Sequence, residues 1–179
     1  MIWRLMFVLM AVAVAGSAAA QQATLHDPLL DHMAGTWVAE GTIAGKPTTH
    51  DITGEWVLKH QYLRLHEVSR EKDADGKPFY EAMIFIGWDQ TQKAYAAVWL
   101  DDYGDVAPQS LANATRTGEA MPFVFKDPDG SITRTTMTYL PGADRWTWTI
   151  DEDDKGKTTS FCATDAASAV GYREATEQA

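Results

Sequence analysis

The sequence predicts an all-β chain: a single antiparallel meander β-barrel of about ten strands, preceded by a short N-terminal helical turn. Three observations carry this. Runs of five to ten residues alternate apolar and polar with period two, as at Trp146, Trp148 and Ile150 against Arg145, Thr147 and Thr149, and again at Met121, Phe123 and Phe125. Hairpin-type turn residues separate these runs, at Gly45-Lys46-Pro47, Asp73 to Pro78, Asp89 to Gln92, Asp127-Pro128-Asp129-Gly130, Pro141 to Asp144 and Asp153-Asp154-Lys155-Gly156. The composition is rich in Thr and 11% aromatic, and both residue classes suit a pleated, half-buried surface.

The elements follow in chain order. Residues 1–20 read as a signal peptide: Met1 to Arg4 is a short positive start, Leu5 to Ala15 is apolar, and Gly16 to Ala20 supplies small residues for an A-x-A cleavage before Gln21. The apolar run is about half the roughly 20 residues a spanning helix needs, so no membrane span is expected after cleavage. No Cys follows it to carry a lipid. The expectation is an exported chain, periplasmic or secreted, with one barrel domain over 21–179. Asp27 to Met33 is the helical turn, with an N-cap Asp, a Pro at the first helical position and the pair Leu29-Leu30 to bury. Strands are expected at 35–43, 49–58, 62–70, 79–88, 93–100, 111–117, 121–126, 131–139, 145–151 and 157–163. Strands 79–88 and 93–100 are apolar on both faces, so their pattern does not say which face turns inward. The tail from Asp165 onward, Ala-rich with mixed charge, takes no assignment.

Composition excludes several function classes. Lys and Arg total 15 against 25 Asp and Glu, a net charge of −10, which does not suit a nucleic-acid partner. The lone Cys162 rules out an internal disulfide framework; it is expected as a small buried hydrophobe, with an intermolecular disulfide or a reactive thiol as alternatives. The five His, at 26, 32, 50, 60 and 66, lack the spacing of a metal site, and the Asp-rich turns do not complete a calcium loop. No nucleophile elbow, phosphate loop, dinucleotide fingerprint or H-E-x-x-H motif is present, so no catalytic residue, metal or cofactor is assigned. Carboxylates such as Glu55, Glu67, Glu81 and Asp101 are scattered, and their spacing does not say which of them converge.

What remains is the lumen. A closed sheet of about ten strands leaves room for a small ligand. The candidate ligand-contacting residues are Trp37, Trp88, Trp99, Trp146 and Trp148, together with Arg64 and His66 as polar groups on a central strand between Leu63 and Leu65. Arg64 there would pair with a carboxylate ligand, form an internal salt bridge, or sit on the surface. Two alternatives to a binding protein stay open: an enzyme of unnamed reaction using the same cavity, and a filled-core scaffold or interaction module.

The helical turn, then Gly35-Thr36-Trp37, then a meander of about ten strands resembles the calycin superfamily of lipocalins and fatty-acid-binding proteins. A closer resemblance is to an exported bacterial lipocalin-like family of unknown function, carried by Ile86-Gly87-Trp88-Asp89, Tyr95 and Trp99-Leu100-Asp101 and spanning roughly residues 28–163. It implies an exported lipocalin-like barrel, and the lumen of such a barrel is what suggests a small hydrophobic or amphiphilic ligand. Gly35 to Gly41 followed by Pro47-Thr48 is more distantly similar to nitrobindin-like haem barrels, which imply an axial His late in the chain. No His follows His66, and that departure removes the main warrant for haem.

Overall fold

The computed structural model describes residues 24–104 and 107–169; the expected signal segment lies outside them. Ten strands form one closed antiparallel barrel: β1 (Gly35–Ile43), β2 (Lys46–Val57), β3 (Tyr62–Ser69), β4 (Glu81–Asp89), β5 (Ala94–Asp101), β6 (Leu111–Ala114), β7 (Ala120–Lys126), β8 (Ile132–Leu140), β9 (Arg145–Asp154) and β10 (Lys157–Ser168). Each strand pairs with its neighbour in sequence, and β10 returns to β1 from Ile43↔Cys162 to Trp37↔Ser168. This is the up-and-down meander the turn spacing predicts, and closure leaves no free sheet edge.

Hairpin chemistry sets the register. Ala44-Gly45 and Lys155-Gly156 are two-residue connections with positive φ at both positions (48° and 74°, 48° and 82°), the backbone twist that matches paired strands. The first of these lets β2 begin at Lys46, earlier than residue 49, with Pro47 opposite Thr42 in the ladder. β6 ends at Ala114 rather than 117, because Thr117 turns back to bridge Ala120. β10 runs past 163 to Ser168, and this tail supplies the closing pairs with Trp37, Val38 and Ala39.

The interior is read off the alternation. Leu63, Leu65 and Glu67 are buried on β3, and Ala82, Ile84 and Ile86 on β4. Their β5 partners across the ladder are Trp99 opposite Ile84 and Ala97 opposite Ile86, which fixes the inward face of both doubly apolar strands. Met121, Phe123 and Phe125 of β7 and Trp146 and Trp148 of β9 complete the core, as their period-two pattern predicts. The helical turn α1 (Pro28–Asp31) buries Leu29 and Leu30 in that same cluster.

Candidate ligand cavity

Up-and-down connection places the β2–β3, β4–β5, β6–β7 and β8–β9 turns at one end and the β1–β2, β3–β4, β5–β6, β7–β8 and β9–β10 connections at the other. Helix α1 fills the first end. Asp27 holds it there: one carboxylate oxygen accepts from the Leu29 N–H at 2.8 Å and from Arg116 Nη1 at 3.1 Å, and the other accepts from the Tyr95 hydroxyl. The Trp37 indole donates to the Met33 carbonyl at 3.1 Å, and the Trp146 indole points to the His32 carbonyl at 3.5 Å. Gly54, the ladder partner of Gly35, permits this packing, because a Cβ there would lie 2.1 Å from the Met33 carbonyl oxygen. Gly35 itself takes a φ of +138°, which favours glycine.

The other end opens into a cavity of about 1260 Å3, above the roughly 300–1,000 Å3 usual for small-molecule pockets. Trp99, Trp148, Phe125 and Ile150 give it an apolar wall, in which Trp99 and Trp148 meet edge to face at 5.7 Å. A polar group interrupts that wall. His50 Nδ1 lies 2.5 Å from Glu67 Oε1, with His50 only 2% and Glu67 9% exposed. The Tyr80 ring stacks on His50 at 5.8 Å, and its hydroxyl oxygen accepts from Trp99 Nε1 at 2.9 Å. Trp148, 6% exposed, has no acceptor for its Nε1–H.

Electrostatics follow from this packing. Burial pushes the Tyr80 phenol well above its ordinary value, and the charge of Glu67 adds to the shift. Burial likewise pushes the Cys162 thiol up to about 12, again with Glu67 contributing. The thiol therefore stays protonated at neutral pH and is a small buried hydrophobe rather than a nucleophile. At the mouth, desolvation raises the Glu71 carboxyl, but hydrogen bonds from its own backbone N–H, Thr48 and Thr49, with His50 nearby, outweigh that and hold it below its usual value. Asp129 is held low by the Ser131 backbone N–H and hydroxyl.

The sequence-derived candidates separate into three places. Trp99 and Trp148 border the cavity. Trp37 and Trp146 hold the plug at the opposite end, and Trp88 borders a smaller hollow beside the plug, edge-on to Tyr95 at 5.2 Å. Arg64 and His66 are on the outer face of β3, which corrects their expected place in the lumen: Leu63 and Leu65 take the inward positions, so the residues between them point out. Arg64 pairs with Glu55 at 2.5 Å and His66 with Glu81 at 2.7 Å, all partly solvated. The buried polar residues of β2 and β3 are His50, Glu67 and Ser69, which the sequence reading did not count among the ligand-contacting candidates. The signal was present, since Glu67 and Ser69 continue the Leu63, Leu65 register.

Gly87 of the Ile86-Gly87-Trp88-Asp89 segment has a local role. A Cβ at Gly87 would lie 2.7 Å from the Tyr62 ring, so the glycine seats that ring against β4. Among the described residues, no group of three or more His, Cys, Asp and Glu side chains is arranged to hold a metal ion, and no helix is long and apolar enough to cross a membrane. No protein-family model matches the chain, and no curated protein is similar to it.

Proposed function

We propose that the barrel is an exported, lipocalin-like binding protein that holds a small hydrophobic or amphiphilic ligand in its lumen. The observation that supports this is the open cavity of about 1260 Å3 with an aromatic wall and a buried polar group set into it. A filled-core scaffold fits less well, because such a core leaves no space of this size. The amino-terminal signal pattern supports export. The enzyme reading keeps one specific support, the convergence of His50, Glu67 and Tyr80 in one wall, which is the kind of cluster that general acid–base chemistry uses.

Native mass spectrometry of protein purified from its host, joined to tryptophan fluorescence titration, tests the proposal. Trp99 and Trp148 in the cavity wall are expected to give a saturable emission change with amphiphilic ligands, and Arg64→Ala and His66→Ala to leave it intact. An empty mass spectrum together with no fluorescence response across a broad ligand panel would overturn it.

A further inference from the structure

Resting on that reading of the lumen, we propose that its ligand is an amphiphilic organic cation: a positively charged nitrogen on an apolar body, with a hydrogen-bond acceptor close by. Apart from His50, which is paired with Glu67 at 2.5 Å, the ionisable groups bordering the cavity are one-sided. Glu67 sits in the wall, and Glu71, Asp101, Asp127, Asp129 and Glu152 ring the mouth. Lys46, exposed at the rim, is the one Lys or Arg among the described residues that border it. The described pairs that hold arginines, at Glu55, Asp51, Asp27, Glu119, Asp153 and Asp165, all lie away from this lining. A carboxylate ligand would thus cross a negative mouth and meet Glu67, whereas a cation is drawn inward by the same field.

The wall is built for the second half of such a ligand. Tyr80, Trp99 and Trp148 line the same cavity as Glu67, and a cation within about 6 Å of an aromatic face is attracted by the ring quadrupole. Burial strengthens that attraction because water screens it less. The independent sign of an occupant is Trp148. Its side chain borders the cavity, it is 6% exposed, and its Nε1–H has no acceptor. A buried donor without a partner costs free energy that an acceptor on the ligand recovers. An acceptor beside the cationic nitrogen answers the indole and the carboxylate together.

Isothermal titration with three ten-carbon probes tests this: decyltrimethylammonium, decanoate and decyl maltoside, each below its micelle concentration. The cation is expected to bind at least about tenfold more tightly than decanoate, with the sugar head between them. Glu67→Gln is expected to lower the cation's affinity about threefold to tenfold and to leave decyl maltoside nearly unchanged. Should Glu67→Gln fail to fold because His50 loses its partner, the double substitution Asp101→Asn with Glu152→Gln at the mouth still narrows the cation–anion ratio, and 1 M salt narrows it further. Binding of decanoate or the maltoside as tight as that of the cation overturns the cationic assignment and keeps the binding cavity. Failure of all three probes overturns the binding reading itself.

Discussion

The two ends of the barrel are made from the same strands and hold their buried carboxylate and indole groups differently. At the plugged end Asp27 is 8% exposed and takes three donors, from Leu29, Arg116 and Tyr95, while Trp37 and Trp146 direct their N–H groups to the carbonyls of the helical turn. At the open end Trp148 is buried to a similar degree and its N–H meets no acceptor. The first arrangement fixes one structure; the second leaves hydrogen-bonding capacity over. Interiors are ordinarily satisfied, so the unpaired indole beside the cavity is an exception to that rule. The closing plug and the open cavity are thus segregated along the barrel axis.

The largest expected effect lies at the plug. Asp27→Ala removes the N-cap and leaves the Tyr95 hydroxyl without its acceptor, while Arg116 keeps Gly118 and Glu119, so a loss of about 2–4 kcal/mol is expected. Denaturant unfolding checks this, and a loss under about 1 kcal/mol would show that the plug is not where stability is concentrated. Gly54→Ala comes next. Its methyl would meet backbone rather than a yielding side chain, so about 1–3 kcal/mol of overpacking is expected, with the helical turn displaced from β2. Proteolysis near residue 30 in this variant, with the mouth's ligand response preserved, would sharpen the separation of the two ends.

The smallest effect at neutral pH belongs to the cavity wall. Cys162 has a folded-state pKa raised from 9.0 to about 12, so the folded protein favours the protonated thiol. Its stabilising contribution is complete below about 9 and is lost as pH rises from 9 towards 12. Cys162→Ala is expected to flatten the alkaline arm of the stability profile in that window and to change little at pH 7. A disulfide reagent at pH 8 should leave native Cys162 unmodified and label it on denaturation; rapid native labelling would contradict the burial.

Much of the fold was legible because a two-residue period and hairpin turns are local signals. The Trp146, Trp148 and Met121, Phe123, Phe125 patterns each name their own inward face. The extension of β10 to Ser168 was not legible. Ala166 faces in and Ala167 out, and two alanines carry no hydrophobic contrast to reveal the alternation. The helix contact illustrates the same limit in pairs: Gly35 adjoins the turn in sequence, yet the close approach falls on Gly54, visible only once the register aligns the two. The candidate site was half legible. Aromatics at Trp99 and Trp148 could be named from composition and strand membership, whereas joining His50 to Glu67 needs the β2–β3 register. That register sets Glu67 opposite Ile52, one inward position along from His50. Arg64 and His66 were misplaced by reading their leucine neighbours as surroundings, when strand alternation makes such neighbours the opposite face.

The pairing of β1 with β10 has a kinetic meaning. The first and last strands must meet before the barrel exists, and that contact closes nearly the whole described chain into one loop, an entropic cost repaid only when the ladder forms. A helical turn of four residues has no stability of its own and docks only on a surface assembled by β1, β2, β5 and β9. The helical turn is therefore ordered only after the strands that seat it. The same order means that the cavity is complete only when the final strand has found the first.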